Sequence, residues 1–299
     1  MARESLRVAI KAATERLTAA GVPSPQADAE ELAAWSLGIQ RTRLGLHPLV
    51  ESGWVEHYQQ LIDRREQRIP LQHIIGSVRM GKATVQVGPG VFIPRPETEL
   101  LVDWALAGIR DVRSPVVVDL CTGSGAVALA IAADRPDARV IGVEREPGAL
   151  AWARRNLEFH LERGGSPVEL RGGDFTDPRL LFDLDGSVDL VTANPPYVPA
   201  GTPVDPEVGV HDPPQAVFAG VDGLDVIRPL VSVAAAMLKP GGLLAIEHDD
   251  SHGETVPAML RGRRVLDEVT DHPDLAGRPR FVTARRVTLR DRPPDDPFR

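Results

Sequence analysis

Asn194-Pro195-Pro196-Tyr197 follows directly on the apolar run Val188-Asp189-Leu190-Val191-Thr192-Ala193, and residues of these types at this spacing suit the handling of a planar amino group. An amide or exocyclic amino nitrogen has a delocalised lone pair and is a poor nucleophile. Its attack on an electrophilic methyl therefore requires that it be held in line with the leaving group. The side-chain oxygen of Asn194 and the carbonyl of Pro195 can each accept one N–H of an NH2 group. A proline, with no N–H of its own and φ fixed near about −65°, keeps that carbonyl aimed outward. Tyr197 offers a flat apolar wall. Asn194, Pro195, Pro196 and Tyr197 are thus the candidate catalytic and substrate-binding residues for methylation of a planar nitrogen. The competing reading is a strand-ending turn, since Asn and Pro are common turn formers, but a turn requires neither the tyrosine nor the preceding buried strand.

A second constellation lies upstream. Val116-Val117-Val118-Asp119-Leu120 reads as a buried parallel strand from its β-branched run, and Cys121-Thr122-Gly123-Ser124-Gly125-Ala126 leads from it into an apolar helix reaching Asp134. Glycines there let backbone approach a ligand closely at a helix N-terminus. Nineteen residues past Gly125, after the strand Val140-Ile141-Gly142-Val143, stands Glu144, a carboxylate placed to accept both hydroxyls of a ribose. Gly123-x-Gly125-x-x-Ala128 also satisfies the loose dinucleotide fingerprint, so NAD competes as the cofactor. Nothing downstream supplies a hydride-transfer site, whereas the strand before Asn194 should end on the same carboxyl edge of the sheet. S-adenosyl-L-methionine fits both features, with its ribose on Glu144 and its methyl sulfonium toward Asn194. After the short strand Val168-Glu169-Leu170-Arg171, Asp174 can accept from the adenine amino group and Phe175 can pack on the ring; a loop acid and a core aromatic are the alternative. The candidate cofactor residues are Asp119, Cys121, Thr122, Gly123, Ser124, Gly125, Glu144, Asp174, Phe175 and Asn194.

Around these sites the pattern predicts an α/β chain. Residues 1–73 read as helical: Leu6, Ile10, Ala13 and Leu17 recur at helical spacing, Gly21 and Pro23 end that helix, and Ser24-Pro25 opens the next. A third helix is predicted from Ser52 to Arg68, with Trp35, Trp54 and Leu61 in a small core. Residues 74–90 alternate and suggest a hairpin linker. Over 91–289 strands alternate with helices, which implies a mostly parallel doubly wound sheet, and the last two strands, Arg264 to Val269 and Arg280 to Val287, have no helix between them and suggest an antiparallel edge. Residues 290–299, rich in Pro, Asp and Arg, read as a flexible tail.

The bulk properties narrow the partners. The 299 residues carry a net charge of −8, which argues against an electrostatic footprint for duplex nucleic acid. No apolar run approaches the roughly 18 residues of a membrane span, and neither a secretory signal nor a disulfide-forming cysteine pattern is evident, so reducing cytoplasm is the expected compartment. The single cysteine, Cys121, lacks a nearby base and is not expected to be a reactive thiol. His248 and His252 stand four apart, but the first ends a strand and Ser251-x-x-Glu254 reads as a capping box opening a helix, so they would not share a helix face and no metal is expected.

Together with Pro70-Leu71-Gln72-His73-Ile74-Ile75-Gly76, Phe92-Ile93-Pro94-Arg95-Pro96-Glu97-Thr98-Glu99-Leu100-Leu101-Val102, Gly220-x-Asp222-Gly223-Leu224 and Lys239-Pro240-Gly241-Gly242, these motifs resemble, over most of the chain, the peptide-chain release factor glutamine N5-methyltransferases. The resemblance implies a Rossmann-like S-adenosylmethionine-dependent methyltransferase fold, with a seven-stranded sheet, an antiparallel edge strand and a small N-terminal helical substrate-binding domain. It implies methylation of a glutamine side-chain amide in the Gly-Gly-Gln loop of class I release factors by a monomeric enzyme. Asn194 to Tyr197 would receive the glutamine, Gly123, Gly125, Glu144 and Phe175 would hold the cofactor, and the loop Pro94 to Thr98 would close over it. In that loop Arg95 and Glu97 are expected to present polar ends to substrate, with a structural ion pair as the alternative, and Thr98 is expected to cap the helix that follows. Three departures stand out: Cys121 replaces a usual first glycine, Glu144 a usual Asp, and Glu247-His248-Asp249 a usual Glu-x-Gly, which leaves any contact there unassigned. An adenine N6-methyltransferase can use the same tetrapeptide on an extruded base. A ribosomal-protein glutamine methyltransferase and a catalytically silent cofactor-binding scaffold are the remaining alternatives.

Overall fold

Helical periodicity dominates the first quarter of the chain, and the computed structural model, which describes residues 3–288, folds it accordingly. Strands β1 (Arg3–Ser5) and β2 (Leu49–Glu51) pair antiparallel beside helices α1 (Leu6–Ala19), α2 (Pro25–Leu37), α3 (Ser52–Glu66) and α4 (Leu71–Ile75). Helix α1 buries Leu6, Ala13 and Leu17; α2 starts with Pro25 in its first turn and stops at Gly38, whose φ of 67° takes the chain out of the helix. Leu17, Leu32, Tyr58 and Ile62 form the centre of this core, with the Tyr58 hydroxyl donating to the Ala29 carbonyl at 2.8 Å. Of the three apolar residues expected there, Leu61 is buried and Trp54 stacks on Tyr58 with ring centroids 4.9 Å apart. Trp35 is 42% exposed, because the inward stripe of α2 runs through Ala29, Leu32 and Ala33 and passes it by.

The next elements are the hairpin β3 (Ser77–Met80) and β4 (Ala83–Gln86), then α5 (Thr98–Gly108), β5 (Val116–Leu120), α6 (Ala126–Asp134), β6 (Arg139–Glu144), α7 (Pro147–Leu161), β7 (Val168–Gly172), α8 (Pro178–Leu181) and β8 (Val188–Ala193). They are followed by α9 (Pro206–His211), α10 (Ile227–Met237), β9 (Leu238–Glu247), α11 (Thr255–Arg261), β10 (Leu266–Pro273) and β11 (Pro279–Arg286). Seven strands form one sheet in the order β10-β11-β9-β8-β5-β6-β7; β9 to β7 run parallel, and β11 runs against both its neighbours, so the antiparallel pair closes one edge. The near-continuous apolar runs of the central strands follow from burial on both faces. Val118, Leu120, Ile141 and Val191 face one apolar layer, while Val117, Val140 and Leu190 face the other, the period-2 alternation dividing them between two helical covers.

The hairpin expected as a linker joins that second layer: Met80, Ala83, Val85 and Val87 are buried with Ala128 and Ile131. At the far end of the chain the expected capping box is displaced. Asp249, not Ser251, does the capping, accepting from the Ser251 N–H at 3.0 Å and its hydroxyl at 2.7 Å, and α11 begins later, at Thr255.

Residues 204–211 lie inside the stretch that builds the sheet, yet they pack with residues 1–77 as one compact unit, the remainder forming the other. Arg65, whose side chain is 4% exposed, is held at 2.7 Å by Asp28 and at 2.8 Å by Glu207 of α9. Arg68 reaches the same Glu207 at 2.8 Å and Asp205 at 3.4 Å. Nothing local in the sequence marks this excursion. Among the described residues no helix is long and apolar enough to cross a membrane, and the expected tail at 290–299 lies outside them.

Candidate active site

Between the end of β5 and the start of α6 the chain must turn through a short loop, and three of its residues adopt left-handed backbone: Cys121 (φ 57°), Gly123 (φ 58°) and Gly125 (φ 83°). Glycine adopts this without penalty, whereas Cys121 bears the strain of its Cβ. A Cβ on Gly125 would also meet Leu129 at 3.4 Å and Ala153 at 3.6 Å, so this glycine shapes the loop from behind rather than lining a cavity. Asp119 fastens the loop from below. Its buried carboxylate accepts the Thr122 hydroxyl at 2.6 Å and the Thr192 hydroxyl at 2.8 Å, tying the loop to β8. Burial pushes the Asp119 pKa up to about 6 against the pull of those two hydroxyls.

Strands β5 and β8 are neighbours, but the chain visits β6 and β7 between them; such a reversal of strand order opens a crevice at the carboxyl edge. That crevice is lined by Asp119, Cys121, Thr122, Gly123 and Ser124 of the loop, by Glu144 after β6, by Asp174 and Phe175 after β7, and by Asn194 and Pro196 after β8. The Glu144 carboxylate accepts the Gly123 N–H through one oxygen and the Glu146 N–H through the other, each at 2.8 Å. A carboxylate has about four lone-pair sites, so two remain for a pair of vicinal hydroxyls. Burial holds its pKa above the usual range, opposed by the same backbone donors. Asp174 accepts the Thr176 N–H and hydroxyl, which hold it below the usual range, and Phe175 presents its ring to the crevice while its back packs on the core. Burial pushes the Cys121 thiol up, which keeps it protonated and unreactive.

Beside Asn194 the loop expected to close the site takes a different part from the one its sequence suggests. Pro94 and Thr98 line the crevice, with Phe92, which the sequence reading did not single out. Arg95 and Glu97 do not line it. The Arg95 guanidinium pairs with buried Asp212 and lies 4.9 Å over the Phe92 ring, so its charge is used within the fold. Thr98 does not cap α5; the helix starts at Thr98, and its hydroxyl donates to Glu247 at 2.7 Å. The Asn194 side-chain NH2 donates to the Thr98 oxygen at 3.2 Å, and the Tyr197 hydroxyl donates to the second oxygen of Glu247 at 3.0 Å. Tyr197 therefore braces the segment rather than lining the crevice, Pro195 is buried outside the lining, and Glu247 is the polar centre that the sequence left unassigned. The two histidines are separately engaged: His248 Nε2 lies 2.9 Å from Asp271, and His252 Nε2 lies 2.9 Å from the Asp222 carbonyl. Gln215 and Ala216, also at the crevice, follow no motif and had no local signal.

The arrangement offers a close backbone approach at the N-terminal end of α6, a buried diol acceptor at Glu144, an apolar face at Phe175, and an amide acceptor at the exit of β8. These are the groups that a nucleoside with a reactive methyl substituent requires, and the chain's residues fit S-adenosylmethionine. Residues 9–76 match the family described as the PrmC N-terminal domain, and residues 117–201 match a methyltransferase domain. A release factor glutamine methyltransferase of Mycolicibacterium smegmatis is 52% identical over 94% of this chain and 98% of its own length. Proteins of the same description from Streptomyces coelicolor and Deinococcus radiodurans are 49% and 43% identical, over 92% and 94% of this chain and 96% and 99% of their own lengths. The chain is an S-adenosylmethionine-dependent methyltransferase and belongs to the release factor glutamine methyltransferase family.

Proposed function

We propose that this enzyme methylates the side-chain amide nitrogen, N5, of the glutamine in the Gly-Gly-Gln loop of class I release factors, in the cytoplasm and as a monomer. The observation that carries the reading is the Asn194–Thr98 hydrogen bond: it engages the Asn194 NH2 and leaves the side-chain oxygen available to a substrate amide at the crevice that Glu144 and the glycine loop also line. The bound S-adenosylmethionine supplies an electrophilic methyl group on a positively charged sulfur. The chain's own work is positional. Asn194 Oδ1 accepts a hydrogen of the substrate amide and fixes the nitrogen in line for attack. The second acceptor expected from the sequence, the Pro195 carbonyl, belongs to a buried residue outside the crevice lining, so the positioning rests chiefly on Asn194. Pro196 keeps the segment from relaxing, and Tyr197, bonded to Glu247, prevents it from swinging away. Glu144 holds the ribose hydroxyls, Asp174 the adenine amino group and Phe175 its ring. No general base is required, because the amide nitrogen sheds a proton once the N–C bond has formed. The names of the similar proteins support the substrate, and the net charge of −8 disfavours a duplex nucleic acid in its place.

Mass spectrometry of a release factor incubated with enzyme and S-adenosylmethionine tests this. The expected gain is one methyl on the Gly-Gly-Gln glutamine, lost when that glutamine is replaced by alanine. Asn194→Ala is expected to lower kcat at least about tenfold, since a substrate N–H left unpaired costs about 1–3 kcal/mol and misalignment adds to it, while cofactor affinity stays within a few-fold. Near-normal turnover by Asn194→Ala, or labelling that survives the glutamine replacement, would overturn the reading.

A further inference from the structure

An asparagine side chain has nearly the same shape with its oxygen and nitrogen exchanged, so only its partners decide which atom faces a substrate. Asn194 is useful as an acceptor in one of the two orientations. We propose that Glu247, acting through the Thr98 hydroxyl, is the positioning residue that selects this orientation, an inference that rests on the substrate reading above. A hydroxyl has one hydrogen to donate. That of Thr98 is committed to Glu247 at 2.7 Å, which leaves its oxygen able only to accept from Asn194, and the atom 3.2 Å away is the Asn194 nitrogen. The amide oxygen is thereby turned away from Thr98. Reversing the amide would set two acceptors face to face across the same gap.

Glu247 is suited to start such a relay. It is 1% exposed at the end of β9, and its two oxygens accept from two hydroxyl donors, those of Thr98 and Tyr197. Burial holds the Glu247 pKa above the usual carboxylate range, opposed by the Thr98 and Tyr197 hydroxyls and by the Arg280 charge, and in the geometry seen both of its oxygens accept from hydroxyls. Its other oxygen holds Tyr197, so both ends of the Asn194–Tyr197 segment depend on one carboxylate from a strand 50 residues further along the chain. A carboxylate that merely satisfied buried hydroxyls would need no contact reaching on to Asn194.

The chain has two asparagines, Asn156 and Asn194, so 15N-asparagine labelling gives two side-chain NH2 signals. Asn156 donates to the Gln86 and Ser124 carbonyls at 3.0 and 2.9 Å and serves as the internal reference. Thr98→Val keeps the shape and removes the relay. It is expected to lower kcat on the release factor at least tenfold with KM and cofactor affinity within about threefold, and to shift the Asn194 pair and speed its hydrogen exchange while the Asn156 pair stays put. Thr98→Ser, which restores a hydroxyl, is expected to recover most of the kcat and the original Asn194 signal. Glu247→Gln offers one acceptor oxygen to two hydroxyls; it is expected to lower kcat on its own and to add nothing to Thr98→Val, as two links of one relay should. An unchanged kcat or an unmoved Asn194 signal in Thr98→Val would overturn the proposal, as would equal losses in the Val and Ser variants or additive losses in the double variant. If Thr98→Val does not fold, Thr98→Ala carries the same two readouts. Asn194→Ala keeps the two ideas apart: an inactive Asn194→Ala beside a fully active Thr98→Val sinks the relay alone, whereas an active Asn194→Ala sinks the substrate reading.

Discussion

Asp119 shows how burial of one side chain can set a pH response for the whole fold. Its folded pKa of about 6 stands above the ordinary 3.8, so between these values the folded protein holds a proton that the unfolded chain has released. Stability contributed by the neutral form is complete below about pH 4, declines as pH rises to about 6, and is flat above; the span amounts to roughly 2–3 kcal/mol. Asp119→Asn is neutral at every pH and should lack this slope. Denaturant unfolding at pH 4, 5, 6 and 7 is expected to show the variant improving relative to the wild type across that window, and a constant difference would refute the assignment. Asn194 and Glu144 were readable in the sequence because each stands at the end of a recognisable strand, where position and chemistry coincide. Arg95 was not: its partner Asp212 is 117 residues away, and a lone arginine in a proline-rich loop looks solvated until that partner is in place. Glu247 and Thr98, 149 residues apart, escaped for the same reason.

The strand–loop–helix element that carries the cofactor crevice constrains its glycines unequally. Gly125 opens α6 at φ 83° with Leu129 and Ala153 close behind, whereas Gly123 faces open space with only the Cys121 carbonyl at 4.0 Å. Gly125→Ala is therefore expected to cost about 1–2 kcal/mol and to displace the first turn of α6, which weakens cofactor binding as well. Calorimetry should register both, as a lower Tm and a raised Kd for S-adenosylmethionine; an alanine variant with wild-type Kd would mean that the turn absorbs the methyl group without moving. Strands β5, β6 and β8 and helices α1, α2 and α6 were legible because long apolar patterns encode burial directly. The hairpin's place in the core was not, since four alternating residues announce a strand but not the surface that covers it. Trp35 misled in the opposite sense: its type suggests burial, and only the arrangement of α2 shows that the inward stripe misses it.

On the scale of the whole chain, the unit formed by residues 1–77 is completed from elsewhere, by Asp205 and Glu207. Glu207→Ala would leave the buried Arg65 with Asp28 as its carboxylate partner and is expected to destabilise this unit by roughly 1–3 kcal/mol. The half-exposed Asp205 should matter far less. Amide hydrogen exchange at Leu17, Leu32 and Ile62 would read the effect, and unchanged protection in Glu207→Ala would show that Asp28 suffices. Truncating residues 1–77 is consequently not a neutral way to test substrate binding, because it strands residues 204–211, which begin seven positions after Tyr197. The same excursion reorders the protein's birth. During synthesis the first helices emerge and wait while residues 78–203 are translated, roughly 6–25 seconds at about 5–20 residues per second, before the acidic segment that gives Arg65 its second carboxylate leaves the ribosome. The segment made first must stay soluble with its buried arginine held by Asp28 alone, and it is finished only when the strand that leads into Asn194 has already been made.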